Sequence, residues 1–335
     1  MAKIEKFTDL RKFQWDKKEI DPFDINDEEL IRTLIFNSDT KFVDRTVVDK
    51  IMEEGKQPPF GIKELHSMGL TGKGVNVAII DQPLALNHPE YKGKVVEYKV
   101  FGPENLMKEQ ISSMHGPGVA SLLVGENIGV APGAKLYYAA NPSWLKDTQY
   151  DAQGLLWIIE INKNMPENEK IKFVSVSARP SGPYSPREKN LEMWDEAVKL
   201  AEESGIVVVD CTDTYGFVAP GYVDYKTGKF KKGFPDYKME ETENGKVCVP
   251  NSLRTIAESF DDKNFGYSYF GMGGLSWGIP YAVGLLCLGQ QLAPNLTAKE
   301  LKQCFVESAI DNVVNPKGFI EKVKFLSSEK EREDD

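Results

Sequence analysis

Histidine is scarce. The 335 residues contain three, His66, His88 and His115, so any histidine-dependent chemistry must run through one of them. Cysteine is scarce too. Cys211, Cys248, Cys287 and Cys304 form no CxxC pair and no zinc-ligand spacing, and three of them sit in apolar runs where a buried thiol is the ordinary outcome. Long apolar runs are missing. No stretch approaches the roughly 20 residues of a membrane span. The N-terminal MAKIEKFTDLRKFQWDKKEI lacks the apolar core of a signal peptide. Positive charge is in deficit. A net charge of −10 argues against nucleic acid or an anionic membrane as the main partner. The one basic run, Lys226 to Lys232, is short and reads as a solvated loop. Together these absences imply a cytoplasmic, thiol-reduced protein with no membrane, nucleic-acid, metal or cofactor site.

What is present is an ordinary globular composition, 41% hydrophobic, enough to bury a core. Residues 1–58 differ from the rest. They are charged, with two helical patches: Asp27 can cap a helix through Leu30, Ile31, Leu34 and Ile35, and Val47, Val48, Ile51 and Met52 form a second that stops at Gly55. Pro58-Pro59 marks a boundary. Residues 59–326 then read as one domain and 327–335 as a polar tail that frays. Within that domain, strand-like runs at 75–80, 95–100, 135–140, 171–176 and 206–209 alternate with helical patterns at 116–124, 150–163 and 187–204. Such alternation predicts a mostly parallel, doubly wound sheet in a three-layer α/β/α fold. A long apolar helix over about 277–292 follows Ser276. Thr297 and Glu300 form a capping box that opens a last helix reaching about Ile310.

Three residues stand out chemically. Asp81 ends the strand VNVAIID, where open α/β sheets put their sites; a turn-capping aspartate is the alternative reading. His115 opens HGPGVASLLVG, a small-residue helix after a polar loop, and is placed to face a cleft. Ser276 lies in GMGGLSWGIPYAVG just where the apolar helix begins. There, backbone N–H groups and partial positive charge favour an oxyanion, although a simple helix cap would use the same residue type. Gly274 to Gly278 also fits G-x-S-x-G, but that motif needs its acid and histidine after the serine, and no histidine follows Ser276.

The order Asp, His, Ser and three motifs resemble the subtilase family across about residues 60–310. VAIIDQPLALNHPEY is similar to the family's catalytic-Asp strand and H-P-[DE] turn. HGPGVASLLVG with IGVAPGAKLYYA resembles the H-G-T-H-V-A helix and the strand entry after it, and GLSWGIPYAVG resembles G-T-S-M-A-x-P-H-V-A-G. The resemblance implies Ser276 as nucleophile, His115 as general base and then acid, and Asp81 as the residue that orients the imidazole. It also implies a substrate-pairing segment at Ser177, Ala178 and Arg179, and a proline often preceded by a cis peptide at Val249-Pro250. Departures are visible. Gly118 replaces the second histidine of H-G-T-H, and Tyr281 the histidine after the serine motif. Leu275 and Trp277 flank the serine in place of threonine and methionine. Thr214 stands where the oxyanion-hole asparagine is usual, beside the Ser276 N–H as the other donor. Arg179 and Pro180 stand where glycines leave room for a peptide. The Val124–Gly129 loop is too short for the calcium ion many subtilases hold there. The function implied is a serine endopeptidase, slow or of restricted specificity, acting on peptides or proteins. The alternative is a pseudoprotease that binds peptides or a partner protease. Residues 1–58 are expected either to pack on the catalytic domain and restrain it or to be a surface decoration.

Overall fold

Val- and Ile-rich runs bounded by Gly and Pro turns become strands in the computed structural model, which describes all residues except 1–3, 16–20, 236, 239–244, 260 and 335. In chain order the strands are β1 (Ile35–Asn37), β2 (Asn76–Asp81), β3 (Val95–Val100), β4 (Lys135–Ala140), β5 (Phe173–Ser175), β6 (Val207–Val209), β7 (Val218–Val223), β8 (Phe230–Phe234), β9 (Tyr237–Lys238), β10 (Val247–Pro250), β11 (Arg254–Glu258) and β12 (Gly266–Phe270). A five-stranded parallel sheet runs β3-β4-β2-β5-β6. From β2 the chain goes to the edge strand β3, returns to β4 between them, and then crosses over β2 to β5, so the winding reverses beside β2.

Strand β2 is buried at every position because both faces are covered. Val77 and Ile79 pack with Val119 and Leu123 of the helix His115–Val124 and with Leu285 of the helix Leu275–Leu292. Ala78 and Ile80 face the other way, onto Leu155 and Ile158 of the helix Gln149–Lys163 and Val198 of the helix Glu192–Glu203. This alternation is the pleat's period of two, and it produces the three-layer α/β/α fold. The Thr297–Glu300 capping box forms as expected at the start of the helix Ala298–Glu307.

Several local expectations need correction. The helix capped by Asp27 ends at Ile31; Ile35 instead opens β1, which pairs antiparallel with β12. An apolar run this short fits either period, and the open edge of the β11–β12 hairpin decides it. The next helix runs Thr46–Lys56, one residue past Gly55. Gly55 is inside it because a Cβ there would come within 2.5 Å of Thr255 Oγ1 and 2.9 Å of the Thr255 nitrogen on β11. The helix expected over 187–204 begins only at Glu192, since Pro183 and Pro186 keep the preceding segment open. Half of the basic run is strand: Lys231 and Lys232 lie in β8, paired with β7. No peptide among the described residues is cis, so the Val249–Pro250 bond is trans, and Pro250 closes β10. The tail is helical where it is described. It continues the helix Pro316–Asp334, rich in Glu, Lys and Arg, and Lys330 holds it to Glu300 at 2.7 Å. Among the described residues no helix is long and apolar enough to cross a membrane.

Candidate active site

Asp81 is the last residue of β2 and is buried. His115 is the first residue of its helix, and Gly116 sets how close that helix comes. A Cβ at Gly116 would lie 2.3 Å from the Gln82 carbonyl oxygen, so only glycine lets the helix start touch the turn after Asp81. His115 Nδ1 then meets Asp81 Oδ1 at 2.7 Å, and the Gln82 N–H donates to the same oxygen at 2.7 Å. The carboxylate can only accept, so Nδ1 carries the hydrogen and Nε2 keeps its lone pair. Burial alone would lower the imidazole's pKa. The Asp81 charge and hydrogen bond outweigh it, and the pKa rises above 6.5, with the more distant Arg187 opposing. The other two histidines are tied to backbone carbonyls: His66 Nε2 to Val130 at 2.8 Å and His88 Nε2 to Gly266 at 3.0 Å.

Ser276 is the second residue of the helix Leu275–Leu292, whose cap, Gly274, is extended. Its N–H is therefore among the first-turn donors that have no carbonyl four residues back. The hydroxyl donates to the Ser177 carbonyl at 3.2 Å, and the Ser177 hydroxyl donates to the Ser276 carbonyl at 2.8 Å. This reciprocal pair ties the run after β5 to the start of the serine helix. Among the described residues, the one hydrogen bond of the His115 ring is to Asp81. The next residue, Trp277, brings its ring to 5.1 Å from the imidazole. Trp277 also explains Gly118. A Cβ on Gly118 would lie 3.0 Å from the indole and 2.7 Å from Ile256 Cδ1, so the indole fills the space a side chain at 118 would need.

Beyond Ser177, the Ala178 carbonyl accepts the Cys211 N–H at 2.9 Å, and Ala178 itself packs on the far face of the sheet. Arg179 Nε donates to the Cys211 carbonyl at 2.9 Å. Thr214 is exposed in a turn. In the same segment Asp210 is buried and accepts from Trp194 Nε1 at 2.9 Å and Thr212 Oγ1 at 2.7 Å; burial pushes its pKa up against those bonds.

A buried network behind Asp81 was not anticipated from the sequence. Asn141, next after β4, donates its N–H to the Asp81 carbonyl at 2.8 Å and its side-chain amide to Asp151 at 2.9 Å. Arg187 grips Asp151 with two bonds, of 2.9 and 3.0 Å, and also holds the Ser143 carbonyl. Neither residue carries a local signal: Asp151 reads as an ordinary first-turn acid and Arg187 as part of a helix. The Val124–Gly129 loop does not fit a calcium ion. Glu126 pairs with Lys94, and Asn127 bonds Glu90 through its N–H and its amide.

The parallel sheet, with Asp81, His115 and Ser276 each at an element end, defines a subtilisin-like fold. Solved structures agree: the prenylagaramide maturation protease PagA superposes with a TM-score of 0.58 at 16% identity, over 78% of this chain and 98% of that one. The Subtilase family model matches residues 72–212, a span that includes Asp81 and His115 and stops short of Ser276. PopC of Myxococcus xanthus, a subtilisin-like protease, is 24% identical over 279 residues. Subtilisin E of Bacillus subtilis is 31% identical over 152 residues, 42% of this chain. The chain spans 58% of the length of PopC and 39% of subtilisin E. These similarities support an assignment to the subtilase family.

Proposed function

We propose that the chain is a serine endopeptidase in which Ser276 is the nucleophile, His115 the general base and acid, and Asp81 the orienting carboxylate. The observation that carries this reading is the 2.7 Å contact between a buried Asp81 and His115 Nδ1, which leaves Nε2 basic. Ser276 Oγ attacks the peptide carbonyl carbon and its proton passes to Nε2. The oxygen of the tetrahedral intermediate takes the negative charge and meets the Ser276 N–H at the helix start. The imidazolium then protonates the leaving amine, and water repeats the sequence to free the acid. For the first step the hydroxyl must turn from the Ser177 carbonyl toward the imidazole. Thr214 and the Ser276 N–H remain our assignment for the oxyanion hole, and Ser177, Ala178 and Arg179 for the peptide's edge. Thr214 is short and β-branched, which supports slow hydrolysis: loss of an amide donor costs about 10²–10³ in turnover, a magnitude established on a subtilisin. The reading includes a thiol-reducing, cytoplasmic setting, supported by four free cysteines.

The second reading, a pseudoprotease that binds peptides, draws support from the Ser276 hydroxyl's bond to Ser177 rather than to His115. A fluorophosphonate probe separates the two. We expect covalent labelling and slow peptide hydrolysis, both abolished in Ser276→Ala and nearly so in His115→Ala, because triad members act as a unit. Hydrolysis undiminished in the Ser276→Ala protein sinks the assignment, and a well-folded protein that never labels leaves the binding role.

A further inference from the structure

We propose that Arg179 makes the pocket beside Ser276 selective for an acidic side chain on the acyl side of the scissile bond. The proposal rests on the endopeptidase reading and names its substrate class. The Ser177 carbonyl accepts from the Ser276 hydroxyl, so an acyl group on Ser276 lies against the 177–179 run. Arg179 follows Ser177 by two residues, past a bend at Ala178. The opposite wall is the turn after β6. Arg179 spans the two walls, with Nε on the Cys211 carbonyl at 2.9 Å and Nη2 3.5 Å from Asp213 Oδ1.

The guanidinium is fixed and still has donors to offer. It carries five N–H groups in a planar fork suited to a carboxylate. Its own carbonyl is braced by the Ser185 hydroxyl at 2.7 Å, and the ring of exposed Tyr184 lies 5.8 Å from its central carbon. The Asp213 contact is longer than a good hydrogen bond, and both side chains are 29% exposed, so it is a weak ion pair that an incoming carboxylate can displace. Asp213 is also met by Lys246 at 3.4 Å, so the carboxylate does not depend on Arg179 alone. An apolar residue on the substrate would have to desolvate the guanidinium without replacing its water, whereas Asp or Glu replaces it with charge-assisted bonds.

The test uses the full chain and a fluorogenic peptide series identical except for Glu, Gln, Leu or Lys on the acyl side. We expect kcat/KM for Glu to exceed that for Gln by about tenfold or more, the Glu/Gln ratio to fall to within about twofold in Arg179→Gln, and the preference to turn toward Lys in Arg179→Glu. Calorimetric binding of the Glu and Gln peptides to the Ser276→Ala protein gives the same comparison without chemistry. Hydrolysis with no Glu preference, or a preference that survives Arg179→Gln, overturns the acidic pocket and leaves the endopeptidase reading standing. Selective binding of the Glu peptide by a chain that hydrolyses nothing keeps the pocket and overturns the endopeptidase. Equal binding of Glu and Gln peptides, with no hydrolysis, overturns both.

Discussion

Trp277 and Gly118 are two departures from the subtilase pattern that turn out to be one. Each alone reads as an oddity in its motif; together they are a large and a small residue sharing one volume beside the imidazole. The indole is 4% exposed and also lies against Phe270, with ring centroids 5.2 Å apart, so it has little freedom to retreat. A large side chain at 118 must therefore overpack. Gly118→Leu should cost about 1–3 kcal/mol in urea unfolding. The cost should shrink when Trp277→Met is added, with a coupling of about 0.5–3 kcal/mol in the double-mutant cycle. Additive effects of the two changes would show that the indole does not set the space at 118. Thr214 has no such partner: it sits exposed in its turn, and nothing around it explains why threonine replaces asparagine.

At the scale of elements, the N-terminal segment is joined to the β11–β12 hairpin rather than laid over it. Strand β1 extends the hairpin to a three-stranded sheet, and the Thr255 hydroxyl on β11 donates to the Met52 carbonyl at 2.7 Å. Leu10, Ile31, Leu34, Phe36, Ile51 and Met52 cover Tyr269 in one apolar cluster. At the hairpin's edge, Arg32 bonds Glu54 at 2.7 Å and stacks 4.3 Å over Tyr225 of the β7–β8 turn. Deleting residues 1–57 would uncover Tyr269 and leave β12 with an unpaired edge, both openings for aggregation. We therefore expect the truncated protein to melt several degrees lower or to aggregate, by an amount that consumes much of a typical margin of about 5–15 kcal/mol. A truncated protein with unchanged melting and faster peptide turnover would instead make the segment a removable restraint. The sequence signalled the second helix of this segment clearly through Val48, Ile51 and Met52, because its apolar residues keep one period for three turns. It could not signal β1. A three-residue strand has no period of its own and is defined by the edge it meets, more than 200 residues away.

For the whole molecule, legibility followed how local the cause was. The five central strands and the helices between them could be read because each carries its own apolar run, and Asp81, His115 and Ser276 could be read because each sits at the end of such a run. The Asn141–Asp151–Arg187 network and the β7–β10 sheet could not, since their partners are brought together only by the fold. The same fold gives His88 and His115 opposite dependence on pH. His88 is fully buried, stacked 5.3 Å from Tyr91, and its Nδ1 accepts the Glu90 N–H at 3.2 Å. Burial lowers its pKa below 6.5 despite the Gly266 carbonyl and the Glu90 charge, so the folded state favours the neutral ring. Its contribution to stability is full above 6.5 and is lost as pH falls from there through the depressed folded value. His115 has a raised pKa, so its contribution is present below 6.5 and is lost as pH rises through the folded value. Two measurements follow from the two signs. Urea midpoints should fall on acidification from about pH 7.5 to 5.5 more steeply for the wild type than for His88→Gln, because the variant has no ring to protonate. The acid limb of peptide hydrolysis should lie above the ordinary imidazole value of 6.5, because the base must be neutral and Asp81 favours its charged form. Parallel midpoint curves for wild type and His88→Gln would remove His88 as the acid-sensitive group, and an acid limb at or below 6.5 would mean that the Asp81 charge does not reach His115 as strongly as their 2.7 Å contact requires.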